Sequence, residues 1–259
     1  VSALKGGTIE LAVMNSGILA SEVKEMAIFD FPFLFANEKE SDAIVDGPIG
    51  KKMHSLLEAK GIVGLSYWEL GYRQITNSKR AVNKVEDLEG LKLRVIPNPI
   101  NIDWVKALNA NPTPMPFPEV YGGLEQKAID GQENPISVIA ANKFWEVQKH
   151  IVVSNHQYNP QSILMSKKFW DGLSAAEKKI VEDAVAESVK YQRQQSRAQV
   201  ASITENLNDL IRVHERLLGL TQQQTRALNE RQPQRVFELL QEIEVAMIER
   251  TKAEARRTD

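Results

Sequence analysis

The chain of 259 residues contains no cysteine. This absence excludes disulfide scaffolds, thiolate metal sites and a cysteine nucleophile, and it is compatible with an oxidising compartment. The four histidines show neither HExxH nor HxH spacing, so a zinc site has little support. There is no GxSxG turn, and GPIGKK lacks the spacing of a phosphate-binding loop. The sequence therefore favours a binding protein over an enzyme, and no cofactor or metal is predicted.

An excess of charge of one sign and long apolar runs are also absent. The formal net charge is −2, from 32 basic and 34 acidic residues that are scattered along the chain. Without a basic stripe that could follow a phosphate backbone, nucleic acid is not an expected partner. No stretch approaches the roughly 18 consecutive apolar residues of a membrane span, so direct membrane insertion is not predicted.

The alternation of strand and helix patterns predicts an α/β fold. Apolar strand patterns alternate with helical ones, mostly without hairpin turns, which favours largely parallel sheets. One long helix is expected to begin after Ser174, and the last residues of the helical tail are expected to fray. The strands are expected in the segments TIELAVM, IVGLSYWE, GYRQITNS, LKLRV, IVVSNH and SILMS.

Arg94 is the first candidate for chemistry. In LKLRV, Leu91, Leu93 and Val95 lie on one face of the strand and Arg94 lies on the other. Parallel sheets bind ligands outside the carboxyl ends of their strands, where Arg94 falls. A guanidinium fixed there matches a carboxylate with two parallel hydrogen bonds. From this residue alone, an ordinary solvated strand arginine is the commoner interpretation.

Three further polar residues lie at predicted strand ends or turns. Arg73, in GYRQITN, adds a cation that would ordinarily form a surface ion pair. Asn134, in DGQENP, follows a predicted helix stop and has the default interpretation of a turn residue. Its amide can nevertheless donate to a carboxylate and accept from a hydroxyl. Asn15 ends the first visible strand and is either a loop cap or a ligand contact.

Two aromatic residues and one acid complete the candidates. Trp68 and Glu69 close the IVGLSYWE strand, where a ring either packs in a core or lies against a sugar. The Glu69 carboxylate would accept from hydroxyls and repel a second ligand anion. Phe117 either lines a pocket or packs internally.

Several motifs together resemble one protein family. Their order and spacing are similar to those of the solute-binding proteins of tripartite ATP-independent periplasmic (TRAP) transporters, of the dicarboxylate-binding-protein (DctP) type. The resemblance spans about residues 8–170. The motifs are FDFPFLF, DGPIGKK, GYRQITNSKRAV, EDLEGLKLRV, NPTPMPFPEVY, AIDGQENP and NKFWEVQKH.

The resemblance implies a two-lobed, periplasmic-binding-protein-like α/β fold with mixed, mostly parallel sheets and a long helix spanning both lobes. Lobe I would comprise residues 1–70 and 160–199, and lobe II residues 71–159 and 200–259. A strand, a helix and a second strand that precede this segment in the family are expected to be missing here.

The resemblance also assigns roles to the candidate residues. Arg94 falls on the family's carboxylate clamp, Arg73 on a second arginine that adds charge, and Asn134 on an asparagine that fixes ligand orientation. The remaining candidates fall on pocket positions that vary with the ligand, namely Trp68, Glu69, Asn15 and Phe117.

The implied function is capture of a small organic acid in the periplasm by a monomer, with hinge closure of the lobes and delivery to the TRAP membrane subunits. Trp68 and Glu69 beside one clamp arginine favour a sugar acid such as a uronate or aldonate. A C4-dicarboxylate stays open, because Arg73 could act as the second cation. A ligand-sensing module of a signalling system is a further alternative, whereas an α/β enzyme would need a nucleophile or metal constellation that the sequence lacks.

Overall fold

A computed structural model describes residues 1–255 of the chain. The chain divides into two compact units, residues 1–196 and 197–259. Residues 256–259, which were expected to fray, lie outside the described part. The lobe boundaries implied by the resemblance stay a prediction.

A six-stranded sheet organises the first unit, with the order β1-β6-β2-β5-β3-β4. The pairs β1–β6, β6–β2 and β2–β5 are antiparallel, whereas β5–β3 and β3–β4 are parallel. The α/β class and a mixed sheet are confirmed, but the pairing is not mostly parallel, because the two long strands pair antiparallel along their length. The strands are β1 Leu11–Asn15, β2 Ile62–Asn77, β3 Lys92–Val95, β4 Asn111–Pro114, β5 Gly131–Pro135 and β6 His150–Ser166.

Nine α-helices lie in the described part of the chain. Prolines start three of them, Pro48, Pro99 and Pro233, as expected for a residue whose missing N–H would have no partner there. The helices are α1 Ser2–Gly6, α2 Glu38–Val45, α3 Pro48–Glu58, α4 Pro99–Ala107, α5 Val120–Glu125, α6 Ile136–Ala141, α7 Lys167–Gly172, α8 Ala175–Asn229 and α9 Pro233–Ala255. Short 3-10 helices are Ser16–Ser21, Lys24–Asp30, Val85–Leu88, Phe117–Glu119 and Phe144–Glu146.

Two strand predictions were wrong in the same way. The segments IVGLSYWE and GYRQITNS form the single strand β2, and IVVSNH and SILMS form the single strand β6. In β2 the pairing shifts register between Glu69 and Gly71, and Gly71 has a φ of 109°. The glycine is therefore a β-bulge within a strand and not a break between strands.

Asn134 does not lie in a turn as predicted. It belongs to β5, a fully buried strand that pairs with β2 on one side and β3 on the other. Hydrogen bonding to two neighbouring strands overrides the local turn preference of Gly, Asn and Pro in this segment.

Three apolar clusters position the strands of the first unit. The first packs the 3-10 helices near the N-terminus, α2 and α3 against β2 and β6, and includes Leu19, Met26, Phe29, Leu57 and Leu164. The second packs α4 against β3, and the third joins α5 and α6. The clusters surround a set of polar side chains that are equally buried.

The second unit, within residues 197–255, consists of the second part of α8 and the whole of α9. The two helices bury a shared cluster of Leu220, Ala227, Leu239 and Ala246. None of the helices in residues 1–255 has the length and apolar character needed to cross a bilayer.

Candidate functional site

Arg94 is a buried cation whose terminal nitrogens are open. Its side chain lies in β3 and is only 3% exposed. Nε donates to the carbonyl oxygen of Met115 at 2.9 Å, and Cζ lies 6.0 Å from the centre of the Phe117 ring. Neither Nη has a protein acceptor among residues 1–255. The fork of this guanidinium is therefore available to an anion.

The electrostatic environment of Arg94 leaves it charged at neutral pH. Burial lowers its pKa to about 10, while Glu133 opposes that change and Arg73 adds to it. Because that value is still well above 7, the guanidinium carries its full charge with little water to screen it.

Arg73 is engaged by an acid that the sequence did not single out. Its Nε donates to Glu133 Oε2, and its Nη2 donates to Glu133 Oε1 at 2.9 Å and to the Glu133 carbonyl oxygen at 2.6 Å. Both side chains are buried. The fork of Arg73 is therefore occupied, and this arginine has no two-point grip left for a ligand.

Glu133 is ionised and balances Arg73. Burial on its own would raise the pKa of this carboxyl, but Arg73 and His156 outweigh burial and hold the pKa well below its usual range. His156 Nε2 lies 3.6 Å from Glu133 Oε2, and its Nδ1 lies 2.8 Å from Ser154 Oγ. Since Glu133 neutralises Arg73, the charge of Arg94 is the one left uncompensated by a direct partner in this network.

Asn159 brings Asn15 and Arg73 together. Its Oδ1 accepts from Arg73 Nη1 at 2.9 Å and from Asn15 Nδ2 at 3.0 Å. Its Nδ2 donates to Asp30 Oδ1 at 2.9 Å and to the Phe29 carbonyl oxygen at 3.0 Å. Arg73 and Asn15, which the sequence nominated separately, therefore both donate to the side-chain amide of Asn159.

Asp30 lies at the centre of this polar network. Burial raises its pKa to about 6, although Arg73 and the amides of Asn98 and Asn159 oppose that effect. Sequence analysis missed both Asp30 and Asn159. A lone acid inside the apolar run MAIFDFPFLF was the available signal for Asp30.

Asn134 lies on the same face of the sheet as Arg94. Arg94 and Gln132 are paired across β3 and β5, and Asn134 follows two residues further along β5. Asn134 Nδ2 donates to Gln132 Oε1 at 2.6 Å, and Gln132 Nε2 donates to Thr76 Oγ1 at 2.9 Å. Within the described residues the Asn134 Oδ1 has no protein donor, so it can accept from a hydroxyl.

The structure places Trp68 and Glu69 against helix α8. Trp68 Nε1 donates to Ser188 Oγ at 3.1 Å. The Gln192 side chain accepts from the Glu69 main-chain N–H at 2.9 Å and donates to the Glu69 carbonyl oxygen at 2.8 Å. These contacts anchor β2 to the helix.

The described residues hold no group of three or more His, Asp or Glu side chains that could bind a metal ion. The chemistry of this region is thus a cation with an open fork, a neutralised arginine–glutamate pair and several buried amides. Such a set can bind a carboxylate and hydrogen-bond hydroxyls.

Comparisons with known proteins agree with this chemistry. The model of the family "Bacterial extracellular solute-binding protein, family 7" (DctP) matches residues 1–242. The 2,3-diketo-L-gulonate-binding periplasmic protein YiaO of Escherichia coli is 40% identical over 193 residues, which cover 74% of this chain and 59% of that protein. The chain spans about three fifths of the length of this relative and of a second one, a solute-binding protein of Verminephrobacter eiseniae.

Two solved structures show the same similarity. The sugar acid binding protein DctPAm from Advenella mimigardefordensis, in complex with galactonate, is 37% identical with a TM-score of 0.79, covering 95% of this chain and 82% of that one. A TRAP periplasmic solute-binding protein from Haemophilus influenzae with bound L-gulonate is 33% identical with a TM-score of 0.77, covering 80% and 68%. The chain therefore belongs to the DctP family of bacterial extracellular solute-binding proteins, the TRAP-type family predicted from its motifs, whose members are periplasmic and are not enzymes.

Proposed function

We propose that the chain is the solute-binding subunit of a TRAP transporter and captures a monocarboxylic sugar acid, such as an aldonate or a uronate, through Arg94. The observation that carries the proposal is the buried Arg94 guanidinium, which uses Nε to bond Met115 and leaves both Nη groups for an anion. A carboxylate placed against that fork receives two parallel charged hydrogen bonds.

The grip gains strength from exclusion of water. Charged hydrogen bonds are stronger in a site of low dielectric than in water, so closure of the lobes around the ligand would strengthen the Arg94 contact. Removal of one partner of such a buried pair costs about 3–5 kcal/mol. Loss of the Arg94 charge should therefore abolish measurable binding, with Phe117 lining the clamp and Trp68 and Glu69 contributing further from it.

The occupied fork of Arg73 favours a monocarboxylate over a C4-dicarboxylate. A dicarboxylate needs a second cation, and Arg73 is already balanced by Glu133 through Nε and Nη2. Hydroxyls, in contrast, have partners available in amides such as Asn134 and Asn15. The relatives that bind galactonate and L-gulonate support the same choice.

The proposed role in transport depends on closure of the two lobes that are predicted for the family. Residues 1–70 and 160–199 would form one lobe, and residues 71–159 and 200–259 the other, closing around the acid. The closed monomer would deliver the acid to the TRAP membrane subunits. A sensing module would close in the same way but would not support uptake, so an uptake assay with the membrane subunits separates the two roles.

A binding panel tests the ligand class. D-galactonate, L-gulonate, D-galacturonate and succinate would each be added to the protein in a thermal-shift screen, followed by calorimetric titration. We expect at least one sugar acid to raise the melting temperature and to be recovered chemically unchanged. Tighter binding of succinate than of every sugar acid would instead identify a dicarboxylate protein, and chemical conversion of a ligand would overturn the transport role.

A further inference from the structure

Asp30 is a buried carboxylate that accepts from three side-chain amides of two different elements. Oδ1 accepts from Asn159 Nδ2 at 2.9 Å and from Gln157 Nε2 at 3.0 Å, both in β6. Oδ2 accepts from Nδ2 of Asn98, the N-cap residue of α4. The side chain has no exposed surface.

The backbone around Asp30 is built to admit this carboxylate. A Cβ atom at Gly17 would lie 2.0 Å from Asp30 Oδ2, so only glycine lets the 3-10 helix Ser16–Ser21 approach so closely. Such close packing prevents the carboxylate from moving toward that helix. The NH₂ groups of the three amides are therefore oriented toward a carboxylate whose position is restricted on that side.

An ionised carboxylate fixes the orientation of a neighbouring side-chain amide. Ionised Asp30 accepts hydrogen bonds and cannot donate them, so Asn159 must turn its NH₂ group toward Asp30. Its Oδ1 then faces the opposite way, where it accepts from Arg73 Nη1 and Asn15 Nδ2. With the amide reversed, an NH₂ group would face the donors of Arg73 and Asn15.

From this geometry we infer that Asp30 is a positioning residue for acid binding, which acts by fixing the orientation of the Asn159 amide and, through it, Arg73 and Asn15. The inference rests on the proposed function, in which the Asn15 amide is a partner for ligand hydroxyls, while Arg73 is the neutralised arginine of the same polar network. Within the described residues, no hydrogen bond joins Asp30 directly to Arg73 or Arg94.

The substitution Asp30→Asn tests the inference because it preserves shape and removes the acceptor-only character. Asn98 Oδ1 is already committed to the Asn101 N–H at 2.9 Å, so its NH₂ must keep facing position 30. Wherever the new NH₂ group points, it meets either Asn98 or Asn159 as another donor. We expect the affinity for D-galactonate to fall about tenfold, within the range expected for an unpaired buried donor.

The exchange variant Asp30→Asn/Asn159→Asp provides the rescue. In it the new NH₂ at position 30 donates to the carboxylate at position 159, which still accepts from Arg73 and Asn15. Recovery should be partial, because a carboxylate at 159 loses the bond to the Phe29 carbonyl. Asn159→Asp alone sets two carboxylates against each other and should bind more weakly than the exchange variant.

Calorimetry with D-galactonate and ¹H–¹⁵N spectra of the side-chain amides of Asn159 and the Nε–H of Arg73 would be compared for the wild type and these variants. Asp171→Asn, at an exposed acid of α7, serves as the matched control and should change neither readout. Displaced resonances in Asp30→Asn that return in the exchange variant, together with regained affinity, are the expected result. If the exchange variant is no better than Asn159→Asp in stability, binding and spectra, the inference is overturned, even if Asp30→Asn does not fold.

The two proposals fail separately. A wild-type protein that binds none of the sugar acids contradicts the proposed function. In that case the Asn159 and Arg73 resonances still show whether Asp30 fixes the orientation of the Asn159 amide. Wild-type binding together with unchanged affinity and spectra in Asp30→Asn contradicts only the inference.

Discussion

Replacement of Glu133 by glutamine should destabilise the fold strongly. The substitution preserves shape but leaves the guanidinium of Arg73, which is 1% exposed, without its counterion. Breaking a buried pair in this way costs about 3–5 kcal/mol. In a chain of this size, roughly 2–4 °C of melting temperature are lost per kcal/mol, so we expect a decrease on the order of 6–20 °C.

Thermal denaturation followed by circular dichroism measures this effect, and two further variants check its cause. Asp171→Asn breaks the exposed pair with Lys167 and should leave the midpoint unchanged. Replacing Arg73 and Glu133 together by Met and Leu removes both charges, and it should recover much of the stability. A Glu133→Gln midpoint equal to that of the wild type would refute the claim that this pair is a closed, mutually dependent unit.

The difference in stability between the wild type and Glu133→Gln should decrease at low pH. The pKa of Glu133 is depressed to about 2 in the folded state, so the contribution of this carboxylate to the free energy of unfolding is complete above the ordinary carboxyl pKa. The contribution is lost as the pH falls toward 2, because Glu133 is protonated at a higher pH in the unfolded state than in the folded state. The gap in unfolding free energy between the wild type and Glu133→Gln should thus narrow below about pH 4.

Two other predictions concern stability. Burial lowers the pKa of His54 to about 3, so this side chain is neutral in the folded state. Below about pH 6.5 His54 is protonated in the unfolded state only, and the free energy of unfolding therefore decreases as the pH falls. Between pH 7 and 5 the wild type should lose about 2 kcal/mol more than His54→Gln in urea titrations, and parallel losses would contradict this. Gly17→Ala should destabilise by about 1–3 kcal/mol, because the new Cβ would overlap Asp30. Gly122→Ala, in α5 with no atom near the added Cβ, should be neutral or slightly stabilising, and equal melting temperatures for the two alanine variants would contradict the steric argument.

Local pattern was sufficient to nominate Arg94 as a candidate but not to identify the residues around Arg73. Arg94 could be nominated because the alternation in LKLRV fixes which side chains share a face. The partners of Arg73 could not, because Glu133 and Asn159 lie 60 and 86 residues away in sequence and are brought close only by strand pairing. Sequence periodicity carries no information about such contacts.

The errors in the fold share one physical cause. Gly71 and the Gly131–Pro135 segment were interpreted as ends of elements, since glycine, asparagine and proline commonly interrupt local structure. In the folded protein the first is a bulge inside β2 and the second is a central buried strand. Both segments belong to strands because they pair with neighbouring strands, and a single sequence does not show which strands pair.

The central claim is that the open guanidinium of Arg94 grips the carboxylate of the solute. Its most direct test is calorimetric titration of D-galactonate into Arg94→Gln, beside Arg80→Gln, whose exposed arginine donates to the main-chain carbonyls of Asp87 and Glu89. The account predicts no measurable heat of binding for Arg94→Gln, wild-type affinity for Arg80→Gln, and folded circular dichroism spectra for both. Near-wild-type affinity in a folded Arg94→Gln protein would contradict it.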